Sequence, residues 1–371
     1  MAVLAGSSVN KYRENTRSIV FSLLFVVALV LLSVAERGFG QEEEKWGGGK
    51  YQPKINVAVV QFRVSEKTYS SVEAFRNSIE EAVQEALTDS KPQLIIFPEY
   101  TSVFVSLIPF YRIIEGADTF AGAFEKLKAL YPEMRSIRDV FMRQDGYSRA
   151  VIDEVFGGLA ARYHIYIIAG TYFHATGEGG ELRNRELVYG PNGRVAYYQD
   201  KVFLTDFERE VLGLSPGKME DAVGFRIGKL KIATTICRDT FFPVWSGIYS
   251  GYDLWIDIKA NGVRYDAAEA ESFLRALPAR LKESKVPLGI TDCLTGHFLD
   301  LFWEGESSVM TPYLAESDGA VAGSGGTPVG GENAGGGLNA RGEKSVGIRF
   351  LSRASSCVSG EILYYNGHEA R

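Results

Sequence analysis

The chain is poor in cysteine and histidine and nearly balanced in charge, and each shortage removes a class of function. Its 371 residues include three cysteines, at positions 237, 293 and 357. Cysteines so few and so far apart make neither a disulfide framework nor a zinc spacing. Four histidines are present, and no two stand at a metal-ligand spacing. A net charge of −6 gives no sign of a nucleic-acid partner. No internal repeat is visible, so a repeat architecture is not expected. The hydrophobic content of 46% and aromatic content of 12% instead describe a globular chain, long enough for one large α/β domain or two ordinary ones.

The first fifty residues read as an export segment and linker. Lys11, Arg13 and Arg17 precede an apolar run from Ile19 to Ala35, and Gln41-Glu42-Glu43-Glu44 and Gly47-Gly48-Gly49 follow it. Basic residues before and acidic residues after predict the N-terminus inside and the remainder exported. Ser33-Val34-Ala35 supplies the small residues of a cleavage site, so a cleaved signal and a single-helix membrane anchor both stay open.

From residue 50 to 320, strand and helix signals alternate, which predicts a layered α/β domain. Ile55–Phe62, Leu94–Phe97, Ile165–Tyr172, Lys231–Ile236, Leu254–Ile258, Val286–Thr291 and Ser307–Met310 read as strands. Glu186–Tyr189 and Arg194–Tyr198 flank Gly190-Pro191-Asn192-Gly193, a hairpin turn. Val72, Phe75, Ile79, Ala82, Val83 and Ala86 fall at helical spacing after Ser70-Ser71, a candidate cap. Residues 148–163 and 267–285 are also expected as helices, the latter with Pro278 as a kink point. Residues 104–147 carry eight aromatics without clean periodicity and read as a lid or as extra packing. Residues 319–342 hold ten glycines and read as a flexible loop, followed by a last strand within 344–351 and a tail with no pattern. The domain limits are therefore 1–50, 51–318, 319–343 and 344–371.

Three strand ends carry the chemistry. An apolar, β-branched run ends abruptly in Cys237, with Arg238 and Asp239 directly after it. If the chain turns into a helix there, the helix N-terminus favours thiolate. Glu99 follows Leu94–Phe97 and its stop, Pro98, where desolvation raises a carboxyl pKa and makes a base. Lys201 follows the hairpin, and in a cleft it can donate to a developing oxyanion. Glu208 lies seven residues beyond Lys201, in an acidic turn with Arg209 and Glu210. Each residue taken alone is unremarkable.

Together they resemble the carbon–nitrogen hydrolase (nitrilase) superfamily, from about Ile55 to Asp318. Val57 to Gln61 looks like its first strand, and Leu-Ile-Ile-Phe-Pro-Glu ending at Glu99 like its general-base motif. Asn184, the hairpin turn, Tyr198 and Lys201 look like its approach to the lysine. Ser215-Pro216-Gly217, Phe225 and Lys231 to Asp239 look like its approach to the nucleophile, and Gly305-Glu306-Ser307 with Met310 and Pro312 like its closing strand. The resemblance implies an α-β-β-α sandwich and a homodimer or higher oligomer. It implies no metal or organic cofactor. It casts Cys237 as nucleophile, Glu99 as base, Lys201 as oxyanion stabiliser and Glu208 as the positioning second glutamate, with Glu210 as a competitor. Arg238, Asp239 and Asn261 are expected to contact a small amide, nitrile or carbamoyl substrate. Departures from the family pattern, namely Phe203, Arg238 and the segment Ile258-Lys259-Ala260-Asn261, bear on which substrate. Acyl transfer to an amine, or a non-catalytic module on the same scaffold, are the alternatives.

Overall fold

The alternation of Val57 and Val59 with Ala58 and Val60 decides the architecture. Successive strand residues face opposite sides, and here both sides are buried. Val57, Val59, Leu94 and Ile96 share one core with Ile232, Ile236, Ile256 and Ile258. Ala58, Val60, Ile95 and Phe97 share another with Phe75, Ile79, Val83 and Ile152. Strands apolar on both faces need a layer against each.

The computed structural model, which describes residues 51–177, 180–314 and 346–368, supplies those layers. The chain divides after Tyr51, and the following account concerns the unit from Gln52 onward. Its main strands in chain order are β1 (Asn56–Gln61), β2 (Leu94–Phe97), β3 (Tyr166–Ala175), β4 (Leu182–Tyr189), β5 (Val195–Asp200), β6 (Phe225–Ile227), β7 (Leu230–Ile236), β8 (Leu254–Lys259), β9 (Gly289–Cys293), β10 (Ser308–Leu314), β11 (Val346–Arg353) and β12 (Glu361–Asn366). They form two six-stranded sheets, ordered β12-β1-β2-β3-β4-β5 and β11-β10-β9-β8-β7-β6. In each, the three central strands run parallel and the edges are antiparallel.

Helices cover both outer faces. On the first sheet lie α1 (Val72–Thr88) and α3 (Ile137–Ile152), with α2 (Phe120–Leu130) beside them; α4 (Ala267–Leu274) and α5 (Leu277–Ser284) follow later in the chain. Ser71 caps α1 by accepting from the Ala74 N–H at 3.0 Å. On the far face of the second sheet, Leu277 and Leu281 of α5 pack with Trp245, Tyr249, Trp255 and Met310. This is the α-β-β-α sandwich.

The structure departs from the expected elements in four places. The helix predicted at 148–163 begins at Ile137 and continues through a wide turn at Asp153–Gly157 to Tyr163. The helix expected across 267–285 is two, because the chain breaks at Arg275 and Ala276 and Pro278 opens α5, where its missing N–H costs nothing. The aromatic stretch 104–147, read as a lid or as extra packing, holds more regular structure than its lack of periodicity suggests. It folds into short helical turns, α2 and most of α3, and Phe104, Phe110, Phe120 and Phe141 are buried. The tail forms β12, which pairs with β1 from Asn56 opposite Asn366 to Gln61 opposite Glu361, so both ends of the unit meet in one sheet. The N-terminal apolar run and the glycine-rich segment lie outside the described residues. Among the described residues, no helix is long and apolar enough to cross a membrane. All three cysteines are free thiols.

Polar side chains interrupt the apolar pattern between the sheets, Gln199 and Thr234 bonded to each other and Glu186 less well served. Glu186 of β4 is fully buried, and neither carboxylate oxygen has a hydrogen-bond partner of normal geometry. Burial pushes its carboxyl from 4.5 up to about 8, with the Thr234 hydroxyl opposing and Asp239 adding a little. Below pH 4.5 folded and unfolded chains are both protonated there, and no stability is lost. Between 4.5 and about 8 only the unfolded chain ionises, so stability falls as pH rises, until the folded group ionises too. Glu186→Gln is therefore expected to stabilise the fold at pH 8, by roughly 3–5 kcal/mol, and to change little at pH 4.5. Urea titrations at both values check this; the same difference at the two pH values would refute an ionising carboxyl.

Candidate active site

Two tight turns at the ends of central strands set up the site. β2 stops at Pro98, and the turn after it places Tyr100 at φ +66°. The turn is tight because Gly170 of β3 lies under it. Any Cβ at Gly170 would collide with the Pro98 carbonyl and the Thr101 side chain, and its φ of +64° suits glycine. Glu99 is thus held at the C-terminal end of a parallel strand, a usual place for ligand sites in α/β sheets. In the second sheet, β7 ends at Ile236, and Cys237 takes φ +52°. A left-handed non-glycine residue costs about 1–2 kcal/mol, so the turn must be held from outside.

Buried polar groups do the holding. The Cys237 carbonyl accepts from Thr240 Oγ1 at 2.9 Å and from Lys259 Nζ at 3.0 Å. Lys259 is itself paired with Asp257 at 2.8 Å and lies over the rings of Phe241 and Phe273. Asp239 accepts from the backbone N–H groups of Phe203 at 2.7 Å, Val202 at 3.2 Å and Ile236 at 3.3 Å. It therefore fastens the segment after Lys201 to the turn that carries Cys237.

Lys201 sits at the centre of a buried cluster. Its Nζ donates to Glu99 Oε1 at 2.8 Å and to Glu208 Oε1 at 2.9 Å, and all three residues are 1% exposed. Asn184 Nδ2 donates to the same two oxygens, at 2.8 and 3.1 Å. Tyr100 Oη donates to Glu208 Oε1 at 2.9 Å, and the Thr205 N–H and hydroxyl donate to Glu208 Oε2 at 2.8 and 3.0 Å. The second oxygen of Glu99 accepts from the Ala260 N–H at 2.9 Å.

These partners pull the two carboxyls apart. Burial raises Glu99, and the neighbouring Glu208 adds to the rise, so Glu99 lies above the ordinary carboxylate range despite Lys201. Burial acts on Glu208 too, but Lys201 and the Thr205 N–H outweigh it and hold it low. Lys201 is opposed by its own burial, yet the two carboxylates keep it well above its usual value. Cys237 moves the other way from the thiolate that a helix N-terminus was expected to favour. Burial and then the Glu99 charge push it up to about 12, against Lys201 and Lys259. The short turn Cys237–Phe241 is too brief a helix to reverse that.

Cys237 and Lys201 open onto one cavity of about 460 Å³. Asn261 is also in its wall, with Nδ2 donating to the carbonyls of Val263 and Glu304 at 3.0 Å each. Two other expected substrate contacts are elsewhere: Arg238 is exposed outside the cavity wall, and Asp239 is fully buried on backbone amides. Of the competing glutamates, Glu208 reaches Lys201, while Glu210 is exposed. Asn184, Tyr100, Thr205 and the Lys259–Asp257 pair were not singled out as site residues. Asn184 left a signal as part of the approach to Lys201, and Lys259 as part of the departing segment Ile258-Lys259-Ala260-Asn261. Among the described residues, no group of three His, Cys, Asp or Glu side chains converges as a metal site requires.

The carbon–nitrogen hydrolase family model matches residues 56–252, more than half of the chain. The chain belongs to the carbon–nitrogen hydrolase family. Solved structures of the nitrilase superfamily share its fold. Nit3 of Saccharomyces cerevisiae, a member of branch 10 of that superfamily, aligns at 16% identity and TM-score 0.50, over 84% of this chain and 89% of its own. A carbon–nitrogen hydrolase of Helicobacter pylori G27 aligns at 17% identity and TM-score 0.51, over 84% and 88%. No curated protein sequence matches the chain. This member of the family thus carries the nitrilase-like sandwich, with β8 to β12 lying beyond the matched segment.

Proposed function

We propose that the chain hydrolyses a non-peptide carbon–nitrogen bond, in a small amide or nitrile, through a thioester on Cys237. One observation carries the reading: the Lys201 ammonium is gripped by Glu99 and Glu208, and Lys201 and Cys237 share a cavity wall. An ammonium has three N–H donors. Two are taken by the carboxylates, which leaves one for an oxyanion formed at a carbonyl beside Cys237.

For an amide, the thiol proton passes to Glu99 as Sγ bonds to the carbonyl carbon. Lys201 donates to the oxyanion, and the tetrahedral species collapses as Glu99 returns the proton to the departing amine. Glu99 then takes a proton from water, whose oxygen attacks the thioester; the acid leaves and the thiol is restored. The raised thiol and raised carboxyl both support proton transfer during attack over a resting ion pair. Glu208 acts by position, holding the ammonium between its partners.

The test is to mix the enzyme with a panel of amides, nitriles and carbamoyl compounds, quench in acid and weigh the peptide bearing Cys237. An acyl mass on that peptide, with acid as product, is expected. A panel that yields neither adduct nor product would favour the non-catalytic module, and product amide formed with an added amine would favour acyl transfer.

A further inference from the structure

We infer that the acyl group this site accepts is uncharged, apolar and larger than a phenyl ring. The inference rests on Cys237 being the acyl acceptor and adds the substrate class.

The walls carry it. The cavity beside Cys237 is bounded by Tyr100, Phe104, Phe120, Phe141, Phe173 and Trp303. They come from the turn after β2, the aromatic stretch, β3 and a short strand at Leu301–Trp303, so four separate parts of the chain converge to make one apolar space. The rings pack among themselves, with Tyr100 on Phe173 and Phe104 on Trp303, at 5.6 and 5.7 Å between centroids. That support makes the space preformed, not a gap awaiting collapse.

Charge in the wall is scarce and already committed. Lys201 and Asp300 are the charged lining residues. Lys201 is neutralised by two carboxylates, and Asp300 accepts from the Phe120 N–H at 2.6 Å. The Arg264 guanidinium lies over the Phe302 ring and pairs with Glu304, outside the wall. A substrate carboxylate would therefore enter an apolar space holding a fixed carboxylate and no available cation, at a large desolvation cost. Amides carrying a free acid are excluded on this ground.

Size follows from volume. A dry apolar cavity of about 150 Å³ holds benzene, so 460 Å³ accommodates the amide group and on the order of ten carbon atoms. Phe207 and Val263 line the cavity and are also exposed, so the apolar surface continues to the mouth.

Unbranched primary amides test this. Each added methylene buried should raise kcat/KM by about threefold to fourfold, so octanamide should exceed butanamide on the order of 100-fold. The monoamide of octanedioic acid, of equal length but anionic, should fall at least 100-fold below octanamide. Butanamide and octanamide within threefold of each other, or the anionic amide equal to octanamide, would overturn the inference while leaving the thioester chemistry intact. Should no amide be turned over, binding to Cys237→Ala decides separately. A larger rise in melting temperature with octanamide than with the anionic amide upholds the pocket's selectivity and removes the amide-hydrolysing reading. Equal shifts remove the selectivity as well.

Discussion

Cys237→Ala is expected to fold and melt like the wild type and to lose turnover on the order of 10⁴-fold or more, because no other group is proposed to carry the acyl chain. The side chain is only partly buried and faces the cavity, so removing its sulfur leaves little unfilled core. Cys237→Ser should lose nearly as much, since a hydroxyl ionises far less readily and Glu99 is a weaker base than a serine would need. Glu99→Gln is the more informative partner. Glu99 accepts from Lys201, Asn184 and the Ala260 N–H, and a glutamine must turn its own N–H₂ towards at least one of those donors. It also removes the charge that helps to push the thiol up. The variant should therefore lose both acylation and deacylation while its Cys237 alkylates at lower pH than in the wild type. Wild-type Cys237, held near 12, should alkylate with iodoacetamide about tenfold faster per pH unit from 7 to 10. A plateau below pH 8 in the wild type would mean a resting thiolate and would remove proton transfer during attack.

Lys201→Ala should cost the fold as well as the reaction. Viewed from the sequence, Lys201 is a cleft residue whose loss leaves the fold unchanged; in the structure it is bonded to two buried carboxylates, Glu99 and Glu208. Removing one partner of a buried ion pair strands the other charge, which costs about 3–5 kcal/mol. Here two are stranded side by side. Both carboxyls would then titrate above their unfolded values, so the damage is small below about pH 4 and grows as pH rises to neutrality. Activity should fall on the order of 100-fold or more in whatever protein remains folded. Lys201→Arg should rescue little, because a planar guanidinium does not fit a compact ammonium site. The double variant Lys201→Met with Glu208→Gln separates the two effects: it should recover much of the stability at pH 7 and none of the turnover. Stability equal to wild type in Lys201→Ala at pH 7 would show that the cluster is not charged as described.

What the sequence by itself determined is local. Apolar runs marked β1 and β2, the Gly190–Gly193 turn marked the hairpin, and Pro98 and Cys237 marked strand ends, because each depends on neighbours a few residues away. The resemblance then tied Glu99, Lys201, Glu208 and Cys237 to one family. Non-local sums lay beyond it. The direction in which the thiol shifts depends on the burial of Cys237 and the charge of Glu99, 138 residues away in sequence. Asp239 reads as a substrate contact beside Cys237, yet the backbone amides of Val202 and Phe203 claim it, since a buried carboxylate goes where unpaired N–H groups are. The tail has no pattern of its own and becomes β12 because the edge of β1 needs a partner. The aromatics of residues 104–147 lack periodicity for a related reason: several of their rings answer to a cavity built from distant segments, and only the tertiary structure decides which rings meet there.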